Sequence, residues 1–399
     1  MQRIGIYGGT FNPPHIGHVR AAEYAVKALR LDKLLMIPAY IAPHKTLPSN
    51  APSPMQRLQM LQLGLEDVAG VEVSDLEIRR EGTSYTYETV AQVRLLYPQA
   101  QIFLLMGTDM FLSFADWKCA LQICQQATLV VLHRGEPEER ARIAQYAAQL
   151  PQATVVHLDN PVTEISSTQM RRLLSFQCAG TYLPQGVGTY IAQHGLYDSG
   201  TSYRDLTEEA LEKAVVALLK PNRVAHVLGC RDAAVDLAKY YGVNQTHAAR
   251  AALLHDVTKA LDGPLQLTLC REYGIVLDDF SFQNPKTLHA LTGSLVAERI
   301  FGEDPAVVAA IRSHTTGKAD MNLLEKIIYV ADYMEPNRDF DGVDQMRRLA
   351  YEDITAALRM GLEMTMALLE QQKKTISPET RQALQYLNLK AVSKRERNR

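Results

Sequence analysis

Two groups of residues have types and spacing suited to chemistry on phosphates. The first is the string Gly8-Gly9-Thr10-Phe11-Asn12-Pro13-Pro14-His15-Ile16-Gly17-His18, which follows an apolar run at Ile4 to Tyr7 and opens a stretch with helical spacing. A strand-to-helix turn of this kind points free backbone N–H groups and the positive end of a helix dipole at an anion. Gly8 and Gly9 permit close approach of the main chain to phosphate. Thr10 offers a hydroxyl, and His15 and His18, one helical turn apart, can face the same oxygens. That set suits a phosphoryl-type transition state, in which positioning and stabilisation of developing negative charge carry most of the catalysis. The second group is His226, His255-Asp256, His289, His314 and Asp332. Neutral imidazoles and carboxylates are ligands that divalent iron, manganese and zinc accept, and converging helices can present one or two each to a buried centre. Six such ligands are enough for two metals, with Asp256 able to bridge them. A glycine turn with incidental histidines and a scatter of core histidines are the plain alternatives. The ordered spacing of each group argues against both.

The elements that must position these residues differ between the two halves. At 399 residues the chain is too long for one typical domain, and 47% apolar with 22% charged residues is ordinary globular composition with enough apolar content for folded cores. Apolar runs at Ile4 to Tyr7, Leu34 to Pro38, Val71 to Ser74, Ile102 to Met106, Thr128 to Leu132 and Thr154 to Leu158 alternate with helical stretches. This is the pattern of a parallel α/β sheet covered on both faces, with ligand sites at the carboxyl ends of its strands. The polar stretch from Asp198 to Ser202 reads as the start of a linker, and beyond it only helical spacing is found. The expected organisation is therefore an α/β domain over 1–198, a linker over 199–206, an all-α domain over 207–390 and a charged tail over 391–399. A net charge of −2 removes the broad electrostatic case for nucleic acid or an anionic membrane as main partner. No apolar run approaches the roughly eighteen residues that span a bilayer, and the first residues do not read as a signal peptide, so a cytoplasmic location is expected. The five scattered cysteines suit neither a disulfide framework nor a zinc knuckle and are expected to be reduced and mostly buried.

The first half resembles the nucleotidylyltransferase superfamily in its Rossmann-like parallel sheet and its His-x-Gly-His turn. Within that superfamily the strings Pro43-His44-Lys45, Gly82 to Thr86, Met106-Gly107-Thr108-Asp109, Trp117-Lys118 and Ile165 to Arg171 are similar to bacterial nicotinate-nucleotide adenylyltransferase, in order and to about residue 198. The resemblance implies ATP and nicotinate mononucleotide as substrates and deamido-NAD and pyrophosphate as products, with Mg²⁺ accompanying ATP. It implies that His15 and His18 contact the ATP phosphates while Gly8, Gly9, Thr10 and Phe11 shape the turn. Lys45 and Arg171 would add positive charge, and Ser166 and Ser167 would donate to phosphate oxygens. Gly107 and Asp109 would lie on the adenosine side. Trp117, the one tryptophan, would stack on the pyridine ring, with core burial as its other reading. Thr86 and Arg134 would touch the mononucleotide, although a Thr at that position also suits a helix cap.

The second half resembles the HD-domain phosphohydrolases in their two-metal form. The strings Arg223 to His226, Leu254 to Lys259, His289 to Gly293, Ser313 to Gly317 and Asp332 to Arg338 are similar to the family that hydrolyses diadenosine tetraphosphate symmetrically. The resemblance implies that His226, His255, Asp256 and Asp332 hold one metal and that Asp256, His289 and His314 hold the other. Iron is the expected ion, and two ADP are the expected products. Asp256 would be catalytic through both metals, and Lys259 and Arg338 would contact phosphate, with a solvated surface cation as the alternative for each. Rival readings are phosphopantetheine or cytidylyl transfer for the first half. For the second they are hydrolysis of another nucleotide, such as guanosine tetraphosphate or a cyclic dinucleotide, or a metal-stabilised nucleotide sensor that regulates its partner domain.

Overall fold

The computed structural model describes residues 1–43, 47, 50–133, 135, 138–163, 165–199 and 201–397, with side chains described to Lys390. It divides into two compact units, Met1–Thr201 and Ser202–Arg399. The first contains a six-stranded parallel sheet built from β1 (Arg3–Gly9), β2 (Lys33–Pro38), β3 (Val71–Val73), β4 (Gln101–Gly107), β5 (Thr128–Leu132) and β6 (Val155–Leu158). All six expected strands form; the central ones are apolar runs that the period-two geometry of a strand divides between two buried faces, while the edge strand β3 packs Val71 and Val73 on one face and exposes Glu72 on the other. Ile4, Ile6, Leu35, Ile37, Ile102, Leu104, Leu129 and Val131 enter one core. Leu34, Met36, Phe103, Leu105, Val130 and Leu132 enter the other. Each such side chain contributes about 1.5–3 kcal/mol when fully buried. At the sheet centre a Cβ on Gly5 would lie 2.6 Å from Leu34 Cδ1, so glycine is what admits the neighbouring leucine.

The strand order is β3-β2-β1-β4-β5-β6, so the crossovers reverse direction between β1 and β4, which pair with Ile6 opposite Leu104. In such a sheet the crevice for a ligand opens at the carboxyl ends of the two strands flanking the reversal. Those ends are the turn after Gly9 and the residues after Gly107.

The second unit is helical throughout its described residues. Five helices carry the histidine and aspartate group at or near their ends: Pro221–Tyr241, Gln245–Leu254, His289–Val296, Pro305–Ser313 and Leu323–Met334. Their start signals are local. Asn244 and Asp304 accept main-chain N–H bonds as N-caps, and Asn322 forms a capping box with Glu325. Small buried residues, Ala233 and Ala234 on one helix and Ala248, Ala249, Ala251 and Ala252 on the next, let the first two helices approach closely. All five cysteines are free thiols; Cys178, Cys230 and Cys270 are buried, while Cys119 and Cys124 are only partly so. No helix among the described residues is long and apolar enough to cross a membrane.

Candidate active sites

The turn after β1 is shaped by a non-glycine residue in the left-handed region. Phe11 has φ 48°, and its ring folds back so that a Cβ on Gly9 would lie 2.9 Å from its Cζ. Glycine at position 9 is therefore required by the ring, whereas a Cβ on Gly8 would meet no atom within 4 Å, which leaves space beside that residue. Phe11 makes an edge contact with His18 at 5.0 Å between centroids, and the His15 and His18 rings stack at 3.7 Å. His15 ends the turn as the N-cap of the helix Ile16–Ala28, and its N–H donates to His18 Nδ1 at 3.2 Å. Nδ1 of His18 is thus the acceptor nitrogen, and in the neutral ring the proton sits on Nε2, which makes that nitrogen the donor.

Beneath the turn, four side chains fix its carbonyl and amide oxygens. Arg57, from the helix Pro54–Leu65, donates to the carbonyls of Thr10 at 2.8 Å, Ala39 at 2.6 Å and Tyr40 at 3.1 Å. Arg171 donates to the Asn12 carbonyl at 2.7 Å, Ser167 to the Pro13 carbonyl at 3.1 Å, and Tyr197 to Asn12 Oδ1 at 2.6 Å. Burial lowers both guanidinium pKa values and pushes the Tyr197 phenol far above its ordinary value, so the phenol stays a donor.

These contacts engage three of the expected residues, Ser166, Ser167 and Arg171. Ser167 spends its hydroxyl proton on Pro13, and Ser166 accepts from the Gln169 N–H as N-cap of the helix Ser167–Ser175, which leaves only Ser166 with a hydroxyl proton to offer. Arg171 is partly committed to Asn12. Thr86 is the first residue within the helix Thr86–Leu96 rather than its cap, since Tyr85 occupies that position. Gly107 caps the short helix Thr108–Phe111, which places Asp109 in a first turn at the carboxyl end of β4. Trp117 is half-buried at the edge of the core, 5.3 Å from the Phe114 ring, with its Nε1 buried and without a hydrogen-bond partner. Lys45 and Arg134 lie outside the described residues, as does His44. The sequence reading missed Arg57 and Tyr197. It also missed Glu139, which is buried, accepts from Thr108 and from the Gly135 N–H at 2.9 Å, and lies 2.7 Å from His133 Nδ1, tying the ends of β4 and β5 together.

In the second unit the six candidate ligands converge. His226, His255 and Asp332 present ligand atoms within 4.8 Å of one another, and so do His255, Asp256 and His314. His289 joins through Asp256, with Nε2 3.6 Å from Oδ1. Each imidazole is oriented from behind. Nδ1 of His255, His289 and His314 donates to the carbonyl three residues earlier, at 2.6, 2.9 and 2.7 Å. His226 Nδ1 donates to Glu335 Oε1 at 3.1 Å. With every Nδ1 committed as donor, every Nε2 is a lone pair aimed at the centre. Burial lowers the pKa of His255, lowers His289 to about 4 with Lys259 assisting, and lowers His314 to about 3 with His255 assisting. These rings are neutral at pH 7. Burial acts to raise Asp256 and Asp332, but the groups facing them outweigh it, among them the Lys259 ammonium beside Asp256 and the Arg338 guanidinium beside Asp332, and both carboxyls stay below the ordinary value.

The cluster fits a cation. His226 Nε2 lies 3.3 Å from His255 Nε2 and 3.1 Å from Asp332 Oδ1, so three acceptors face one another. Asp256 Oδ1 is buried and makes no hydrogen bond of good geometry, although Lys259 Nζ is 3.1 Å away. Thr315 Oγ1 is 3.0 Å from Nε2 of both His289 and His314, yet it has one proton to share between two lone pairs. Arg223 pairs with Asp256, and Arg338 donates to Asp332 Oδ1 at 2.6 Å, so the rim is cationic. Arg223 and Glu335 stood in the strings read from sequence without a role. A Cβ on Gly229 would lie 2.5 Å from Glu335 Oε2, so that glycine makes room for the carboxylate behind His226.

A crevice at the topological switch point with an anion-binding turn, followed by a helical His/Asp centre, defines the chain as a nucleotidyltransferase-type domain joined to an HD domain. The Cytidylyltransferase-like model matches residues 6–173 and the HD domain model residues 223–337. The first half is 35% identical over 195 residues to the "Probable nicotinate-nucleotide adenylyltransferase" of Listeria monocytogenes, covering 49% of this chain and 97% of that protein. The second is 42% identical over 168 residues to the "Bis(5'-nucleosyl)-tetraphosphatase, symmetrical" of Halalkalibacterium halodurans, covering 41% of this chain and 89% of that protein. A Clostridium acetobutylicum crystal structure of a "predicted HD superfamily hydrolase involved in NAD metabolism" matches with 36% identity and TM-score 0.45, covering 46% of this chain and 98% of that one. The chain belongs to the nicotinate-nucleotide adenylyltransferase family through its first half, fused to an HD domain of the divalent-metal-binding kind.

Proposed function

We propose that the chain is a bifunctional enzyme. Its first unit transfers the adenylyl group of ATP to nicotinate mononucleotide: a phosphate oxygen of the mononucleotide attacks the α-phosphorus of ATP, the α–β bridge breaks, and deamido-NAD and pyrophosphate leave. The observation that carries this reading is the donor tautomer of His18 beside a glycine turn at the switch point. His18 Nε2–H and His15 stabilise charge on the transferring phosphorus. Gly8, Gly9, Thr10 and Phe11 form the cradle, Ser166, Ser167 and Arg171 belong to its surround, and Lys45 is assigned to phosphate binding by its sequence string alone. Gly107 and Asp109 face the adenosine, Thr86 and Trp117 face the mononucleotide, and Arg134 is assigned to the mononucleotide from sequence alone. Mg²⁺ arriving with ATP offsets the pyrophosphate charge.

The second unit hydrolyses diadenosine tetraphosphate symmetrically to two ADP. The observation that carries this reading is the convergence of four Nε2 lone pairs on Asp256 and Asp332. His226, His255, Asp256 and Asp332 would hold one divalent ion, iron being the expected one, and Asp256, His289 and His314 a second. Such ions lower the pKa of water and stabilise the leaving oxygen. Lys259, Arg223 and Arg338 supply the positive rim that a polyphosphate requires.

The test is product analysis on the purified full chain with measured metal content. Deamido-NAD and pyrophosphate in equal amounts from ATP and nicotinate mononucleotide support the first activity; their absence overturns it. ADP as sole product from diadenosine tetraphosphate supports the second. AMP plus ATP rejects symmetrical cleavage, and no turnover by the metal-loaded chain moves the reading to another nucleotide or to a sensor.

A further inference from the structure

Arg57 is a charged side chain that the residue roles above leave unused. It is 1% exposed and is among the largest fully buried side chains of the described residues. Arginine remains protonated at any working pH, and an enclosed guanidinium ordinarily faces a carboxylate. Arg57 has no carboxylate partner among the described residues; its hydrogen bonds go to three main-chain carbonyls, and its Nε has none. Those carbonyls belong to the loops leaving β1 and β2, which Arg57 thereby ties together at the carboxyl end of the sheet. In a planar trans peptide the N–H points opposite the C=O. Holding the Thr10 carbonyl on Arg57 therefore turns the Phe11 N–H to the other side of the turn, and the positive φ of Phe11 keeps the chain in that arrangement.

We infer that Arg57 is the positioning residue of the phosphate-binding turn, an uncompensated buried cation whose fork holds the Thr10–Phe11 peptide so that its N–H faces bound polyphosphate. The substrate then supplies negative charge that no carboxylate among the described residues supplies to this guanidinium. Tyr197 and Arg171 hold the next residue, Asn12, so the peptide fixed by Arg57 cannot swing independently of the one that follows. This inference rests on the adenylyltransferase reading of the site.

The test compares Arg57→Met, which removes charge and fork, with Arg57→Lys, which keeps charge but cannot bridge two loops, in the full chain. For protein that unfolds cooperatively, Arg57→Met lowers kcat for adenylyl transfer about 100-fold and Arg57→Lys about tenfold, while KM for ATP rises only about threefold. Placed on a His18→Ala background, Arg57→Met costs much less than on the wild type, because both act on one transition-state cradle. Wild-type kcat in the folded variants, or effects that multiply fully with His18→Ala, overturns the inference and leaves Arg57 a packing residue. If the wild-type chain makes no deamido-NAD, the reading of the site has failed. Arg57 is then judged by calorimetry with ATP alone, whose affinity both variants lower about threefold if it positions the turn and leave intact if it does not.

Discussion

The two sites solve the problem of holding polar groups ready in opposite ways. In the first unit the working donors belong to a short turn, and what steadies that turn comes from far along the chain: Arg57 is 47 residues from Thr10, Arg171 is 159 from Asn12 and Tyr197 is 185 from it. In the second unit the working atoms are side-chain lone pairs, and three of the four imidazoles are fixed by a carbonyl only three residues earlier. The first site is assembled by tertiary structure, whereas the second carries most of its alignment within single helix ends and needs tertiary packing only to bring those ends together. A preorganised donor set is useful in both cases because reorganisation during the reaction is avoided.

This contrast is tested most severely at Asp256, the residue that the two proposed ligand sets have in common. Asp256→Asn keeps the shape and removes the charge that Arg223, Lys259 and four imidazoles surround. Metal content of the purified chain is expected to fall by more than the roughly 10–100-fold that loss of an outer partner costs, with tetraphosphate hydrolysis undetectable and adenylyl transfer intact. Retained metal by elemental analysis would break the assignment. Next in size, His18→Ala removes one transition-state donor and should lower kcat for adenylyl transfer on the order of 100-fold without changing the unfolding midpoint. Near-normal turnover would move the donor role to His15 or to the main chain. Smaller still, Glu335→Gln keeps an oxygen for the His226 Nδ1–H but loses its charge, and should weaken Mn²⁺ binding about tenfold in a calorimetric titration. An unchanged affinity would show that His226 is held by packing alone.

What sequence made legible follows the same division. Both metal trios draw on residues read from the chain, because a buried imidazole on a helix end carries its signal in its own type and its neighbours. The sheet was legible because strands buried on both faces are near-continuous apolar runs. Arg57 was not, since in Pro54-Met55-Gln56-Arg57-Leu58-Gln59 an arginine next to a glutamine in a helical stretch reads as part of the solvated face of an amphipathic helix. Only the tertiary fold turns that position inward under the turn. Glu335 gave a weak signal that was passed over: a carboxylate just before Pro336, at a helix end where an acidic residue opposes the helix dipole and therefore needs another reason to be there.

The least severe test uses pH. His289 and His314 have folded-state pKa values of about 4 and about 3, below the ordinary 6.5 that the unfolded chain restores. Between about pH 3 and 6.5 the unfolded state therefore binds more protons, and stability rises with pH across that window. The stabilisation is complete above pH 6.5 and is lost progressively as pH falls toward the folded values. With metal removed by chelation, the unfolding midpoint of the helical unit should drop steadily from pH 6.5 to pH 4. His289→Gln should flatten that slope, because an amide has no proton to gain. Added Mn²⁺ should steepen it, since protons then compete with the ion for the same Nε2 lone pairs. A midpoint in the chelated protein that does not move over this range would mean that the imidazoles are not buried as neutral rings, and the lone-pair argument for the metal centre would fall with it.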